Sequence, residues 1–186
     1  MLQHIRPALT MMVLFTLLLG IAYPYTVLGI GQAVFPGQAN GSLVTRDDGT
    51  VIGSSLIGQS FAEPRYFWPR PSAAGDGYDA SLSSGSNLGP TSKALMDRIG
   101  ETIPGLGIDG PVPGDAATAS ASGLDPDITP AYARTQAARV AQARGLPPEQ
   151  VAALIEQHVE GPMFGVLGET HVNVLRLNLA LDAMSP

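Results

Sequence analysis

The sequence predicts an α+β protein: a single N-terminal transmembrane helix followed by one small, loop-rich α+β domain outside the cytoplasm. Three observations carry that prediction. An uncharged apolar run opens the chain, an Asp-Gly pair sits between two short apolar runs near residue 50, and two capped stretches of helical period lie between residues 129 and 159. The chain has 186 residues with 10 Lys and Arg against 16 Asp and Glu, and only 14% of it is charged, against about 25% in an ordinary soluble domain. The deficit is local: no charged residue lies between Arg6 and Arg46.

The first element follows from that gap. From Pro7 to Phe35 the chain is uncharged and mostly aliphatic, longer than the roughly 20 residues a helix needs to cross a bilayer. Eleven Leu, Ile, Val or Phe residues between Leu9 and Ile30 favour insertion by roughly 3 to 7 kcal/mol before the costs of Pro and Gly. A cleaved signal peptide is the competing reading, with Gly31-Gln32-Ala33 as a small-x-small site. The run, however, exceeds the 7 to 15 apolar residues of a signal h-region, about half its length. His4 and Arg6 before it, against Arg46, Asp47 and Asp48 after it, orient Met1 toward the cytoplasm. The expected organisation is a short cytoplasmic N-terminus at 1–8, a membrane helix at 9–30 and an extracytoplasmic domain at 31–186. Tyr23 and Tyr25 suit the outer interface, and Pro24 either kinks the helix or marks where it stops being regular.

In the exported part, the runs on either side of Asp48-Gly49 predict a β-hairpin, since both turn positions tolerate positive φ. Pro64, Pro69 and Pro71 forbid a long regular element in the next stretch. Tyr66, Phe67 and Trp68 nevertheless argue for order, and the loop from Glu63 to Pro90 is expected to be an interaction surface. Thr91 and Ser92 cap a helix from Lys93 to about Thr102, with Ala94, Leu95 and Ile99 toward the core and Pro104-Gly105 stopping it. A better helix starts at Thr129-Pro130 and ends on Gly145. A third starts at Pro148, presents Val151, Leu154, Ile155 and Val159 on one face, and pairs with the second as a hairpin. For 171–182 the alternation of Val172, Val174, Leu177, Leu179 and Leu181 favours strand over helix by a small margin.

Composition and motifs exclude several functions. All 16 acids but only nine of the ten bases lie beyond the apolar run, which argues against a nucleic-acid partner. Without Cys there is no disulfide, thiol nucleophile or Cys-type zinc site. Gly105 to Gly110 spells G-x-G-x-x-G, but a helix precedes it and Pro111 and Pro113 follow, so it reads as a surface loop. Ser86 lacks the G-x-S-x-G context of a hydrolase, and its small neighbours suit a tight turn approached closely by other backbone. His158 and His171 read as ordinary partly buried imidazoles, and Asp125 and Asp127 as turn and capping residues, so no metal is expected. Arg134, Arg139 and Arg144 lie about 140° apart in succession around a helix and default to solvated faces or separate ion pairs. The best candidate for nucleotide binding is Ser86, Asn87 and Gly89 leading into the helix at Thr91, helped by Lys93, with Gln136 and Arg139 alongside. Pro90 removes a donor there and the acidic domain repels a polyanion, so tight ATP binding is not expected.

Taken together, GSSLIGQSF at 53–61, YFWPRPSA at 66–73, SSGSNLGPTS at 83–92, ASASGLDPDITPAYARTQAARVAQARGL at 119–146 and LGETHVNVLRLNLALD at 167–182 resemble the C subunit of the Kdp potassium-transporting P-type ATPase, the KdpC family. Residues 103–118 match nothing in the pattern. The resemblance implies a non-enzymatic accessory subunit of the inner membrane whose partners are membrane lipid, a potassium-binding subunit, a catalytic P-type subunit and a small membrane peptide. The sequence lacks both the Asp-Lys-Thr-Gly phosphorylation motif and a Walker A loop. The resemblance further implies a catalytic chaperone that raises the nucleotide affinity of the catalytic subunit, with ATP as its associated ligand. An exported domain meets no cytoplasmic ATP, so either the orientation differs or the effect is indirect, through assembly and conformational bias; the topology is preferred. A membrane-anchored Ser86 hydrolase and an exported binding module are the alternatives.

Overall fold

In the computed structural model, residues 2–46 and 48–184 are described; Met1 and Asp47, which enter the orientation argument, lie outside the described residues. The chain forms two compact units that meet between Ile52 and Gly53.

In the first unit, helix α1 runs from Ile5 to Val34, 30 residues long and apolar enough to cross a membrane, with none of its residues buried. Pro24 does not end it. Across Leu18–Ala22 the coil widens, and the Tyr23 N–H reaches the Leu18 carbonyl five residues back. That wider turn makes room for the proline ring, whose missing N–H would otherwise break the ladder. Regular helix resumes from Tyr23 to Val34. A short turn at Pro36–Ala39 follows, then strand β1 at Leu43–Thr45. β1 pairs with β2 at Val51–Ser54 in a two-stranded sheet, as expected. In the turn Gly49 has positive φ, at 83°. The Asp48 carboxylate accepts the Thr50 N–H at 2.8 Å, which holds its pKa below the usual carboxylate range.

The second unit is a helical layer over a small antiparallel sheet. Helix α2 spans Lys93–Leu106, β3 Asp127–Ile128, α3 Pro130–Arg144, α4 Pro148–Gln157, β4 Val159–Glu160, β5 His171–Asn173 and α5 Val174–Met184. The sheet order is β3-β5-β4, with Ile128 opposite Val172 and Val159 opposite the same Val172 from the other side. Phe67, Tyr132, Val140, Val151, Ile155, Val172, Leu177 and Leu181 form the core.

Helix α3 has the expected ends: Thr129 Oγ1 accepts the Tyr132 N–H at 3.1 Å, and Gly145 closes it at φ 65°. It packs on α4 as expected. Three expectations are corrected. Helix α2 continues past Pro104 to Leu106 and ends on the left-handed Gly107, since in the last turn one lost donor is tolerable. It buries nothing fully: Leu95 and Ile99 are half-buried and Ala94 is exposed. Val159 is not on α4 but in strand β4. The tail is strand only over His171–Asn173 and helix thereafter. Asn173 makes the switch, its Oδ1 accepting the Arg176 N–H at 3.1 Å as a helix cap.

Candidate functional site

The segment from Phe61 to Tyr78 has no regular structure of its own, yet Phe67 at its centre is fully buried. Backbone in that position needs partners. Side-chain amides supply them. Asn178, on α5, accepts the Phe67 N–H at 2.8 Å and donates to the Phe67 carbonyl at 3.0 Å. Gln136, on α3, does the same for Trp68, accepting its N–H at 2.7 Å and donating to its carbonyl at 3.1 Å. Two amides thus replace the ladder a neighbouring strand would provide, and both are buried, at 2% and 3% exposure.

Arginines complete the clamp. The Arg139 guanidinium lies 3.7 Å from the centre of the Trp68 ring, donates to Gln136 Oε1 at 2.6 Å and to the Tyr66 carbonyl at 3.1 Å, and also bonds the Pro64 carbonyl. Burial lowers its pKa, and the stack on indole offsets part of that desolvation. Arg144 donates to the Arg65 carbonyl at 2.8 Å and pairs with Asp182 at 2.6 Å. Arg134 pairs with Glu156 on α4. The expectation of separate ion pairs therefore holds for Arg134 and Arg144, while Arg139 grips carbonyls and a ring instead. Arg139 and Arg144 converge on residues 64–66 because the loop wraps along the helix and long side chains span the angle between them.

Further along, the segment is sewn to residues 119–124. The Ser72 hydroxyl donates to the Gly123 carbonyl at 2.7 Å and accepts N–H groups from Ala74 and Tyr78. Gly123 has φ 66° and no space: a Cβ there would stand 2.7 Å from both the Ala74 nitrogen and the Ser84 oxygen. A Cβ on Gly85 would meet the Ala121 carbonyl at 2.9 Å, the close backbone approach expected beside Ser86.

Between this segment and the helices lies an open cavity of about 350 Å³, lined by Phe61, Trp68, Arg70, Tyr78, Leu106 and Tyr132 among others. Burial pushes the Tyr132 phenol up to about 12 and raises that of Tyr78 further. The Tyr78 hydroxyl donates to the Arg70 carbonyl at 2.6 Å, and both phenols stay neutral at physiological pH. A smaller hollow of about 130 Å³ holds Arg70, Asp115, Asp125, Asp127, Glu169 and His171. Its aspartates are engaged: Asp125 pairs with Arg70 at 2.9 Å, Asp115 accepts the Thr129 N–H at 2.6 Å, and Asp127 accepts from Asn173. Among the described residues no cluster of His and carboxylates is arranged to hold a metal ion.

The nucleotide candidates fall into two groups. Ser86 is half-buried, and Asn87, at φ 53°, and Gly89 are exposed in the loop before α2. Lys93 pairs with Asp97 one turn on, at 2.6 Å. Gln136 and Arg139 are bonded to each other and to the 64–68 backbone. Among the described residues no hydrogen bond or ion pair joins the two groups. Neither His158 nor His171 bonds Ser86: His158 Nδ1 contacts the Leu154 carbonyl and His171 Nδ1 the Glu169 carbonyl.

Sequence reasoning missed the clamping amides, Asn178 above all. Polar residues inside otherwise apolar helical faces, such as Asn178 in Leu177-Asn-Leu179, are the signal that could have found them.

Residues 5–183 match the family model described as K+-transporting ATPase, c chain. Potassium-transporting ATPase KdpC subunits are similar along the whole chain. That of Caulobacter vibrioides strain NA1000 is 58% identical over 189 residues, covering 100% of this chain and 96% of the relative. That of Allorhizobium ampelinum is 56% identical, with 98% and 97% covered. That of Gemmatimonas aurantiaca is 57% identical, with 100% and 95% covered.

Proposed function

The chain belongs to the KdpC family of potassium-transporting ATPase subunits, and from that premise we propose that it is an accessory, non-catalytic component of a potassium uptake pump. It assembles or stabilises the complex and promotes ATP use by the catalytic subunit as a catalytic chaperone. Its partners are the potassium-binding and catalytic chains and a small membrane peptide. In this reading α1 stays in the membrane as an anchor with the N-terminus cytoplasmic, and the domain after it lies outside the cytoplasm.

The observation that carries the reading is the commitment of Gln136 and Arg139. Both are engaged in holding residues 64–68, and Lys93 is paired. Among the candidate residues named above no convergent set of free donors is left to cradle a triphosphate, which supports an effect on ATP use through protein contacts. Titrating the full chain in nanodiscs with Mg-ATP should give no binding heat. Micromolar binding abolished by Lys93→Ala, a change on an exposed side chain, would return a direct nucleotide role to this subunit. Topology is checked separately: protease outside spheroplasts should digest the chain after Phe35, and protection of that region would reverse the orientation.

A further inference from the structure

Strands β4 and β5 are the two legs of a hairpin, with Glu160 opposite His171. Between them the chain makes an excursion, Gly161 to Thr170, of which only Pro162 is even half-buried. The excursion has its own architecture. The Met163 N–H bonds the Leu167 carbonyl at 2.8 Å, the Leu167 N–H returns to the Met163 carbonyl at 3.0 Å, and the Gly165 N–H reaches the Pro162 carbonyl at 2.9 Å. Phe164 sits at φ 54°, a left-handed conformation unfavourable for a bulky residue.

This closed turn carries only apolar side chains, and it holds them outward. Met163, Phe164, Val166 and Leu167 are 66%, 87%, 78% and 61% exposed. Burying such side chains is worth roughly 1.5–3 kcal/mol each, so four on one turn form a patch of the kind that marks an interaction site. Because local hydrogen bonds fix the turn, docking it loses little conformational entropy.

Charge decides between occupants. No Lys or Arg occurs from Gly145 to Leu175, Glu160 and Glu169 flank the turn, and the next cation along the chain, Arg176, is paired with Glu160 at 3.1 Å. Loops and helices that enter anionic lipid add cations around their apolar tips; this one is ringed by acids. The complementary surface is an uncharged apolar cleft on a protein. We propose that the turn Pro162–Leu167 is an apolar anchor that docks into such a cleft on another subunit of the pump. The proposal rests on the accessory-subunit reading above.

The absence of Cys makes the test direct. Val166→Cys places one thiol in the full chain, which is put into nanodiscs containing phosphatidylethanolamine and phosphatidylglycerol, alone and as the assembled pump. Labelling by a charged maleimide should be fast for the chain alone and slowed about tenfold or more in the pump, as at a buried interface core. Equal labelling in both states overturns the proposal, and so does slow labelling of the chain alone, which would make lipid the occupant. Phe164→Ser should leave the melting curve unchanged and reduce recovery of the partner subunits by about tenfold; undiminished recovery overturns the proposal as well. Wild-type chain that recovers no partner would remove the accessory reading itself, whereas recovery with an open thiol removes only the anchor.

Discussion

Residues 63–71 and 161–170 are both irregular, rich in Pro or Gly, and built around aromatic or large aliphatic side chains. One is held by four side chains from two helices, and its central Phe67 is fully buried. The other is held by bonds within its own turn, with His171 Nδ1 on the Glu169 carbonyl at its edge, and leaves Phe164 in solvent. The difference lies outside the loops. Asn178, Gln136, Arg139 and Arg144 satisfy backbone groups of the first that could not otherwise leave water, and among the described residues no helix side chain hydrogen-bonds the turn at 162–167 of the second. Hydrophobic residues in a loop therefore do not decide whether it is core or surface. The polar groups waiting for its backbone do.

The largest contrast should come from the two phenylalanines. Phe67→Ala should destabilise the domain by about 3–5 kcal/mol, as a fully buried aromatic does. Phe164→Ala should change stability by less than about 0.5 kcal/mol. Denaturant unfolding of the two variants makes the comparison, and equal losses would erase the distinction. Next in size is Gln136→Leu, which leaves the Trp68 N–H and carbonyl without partners at a cost of about 1–3 kcal/mol for each group that stays buried; a merely peripheral Gln136 would show no loss. The smallest effect lies at the root of the exposed hairpin. Burial holds the Asp127 carboxyl above its ordinary range, against the pull of His171 and Asn173. A carboxyl raised in the fold destabilises once it is ionised, so Asp127→Asn should raise the melting temperature slightly at neutral pH. That gain should shrink as pH falls through the folded-state pKa and vanish below the ordinary aspartate value of 3.8. A gain that persisted in acid would assign it to something other than this charge.

The legible parts of the fold were those with local signals. Thr129, Pro130 and Gly145 define α3 from inside a 17-residue window, and the apolar run defines α1 from composition alone. The tail was misread because Val172 and Val174 alternate with polar neighbours while the cap that starts α5, Asn173, lies between them. The Glu63–Pro90 loop was expected to be ordered, and it is. Of the aromatics that argue for that order, Phe67 is fully buried and Tyr66 and Trp68 are half-buried. That outcome depends on Asn178, 111 positions away, a partnership no local pattern records. The exposed turn at 162–167 went unnoticed because Met-Phe-Gly-Val-Leu reads equally as core until the strands around it are placed.

The reach of those amide clamps also sets an order of events during synthesis. At about 5–20 residues per second, the 111 positions between Phe67 and Asn178 separate their emergence by on the order of ten seconds. Until α5 has been made, Phe67 has neither its backbone partner nor Leu177 and Leu181 to pack against, so the loop that precedes every helix of the domain is the last part to settle. Such long-range closure slows folding, and it leaves the nascent segment pliable until the last helix of the chain has been made.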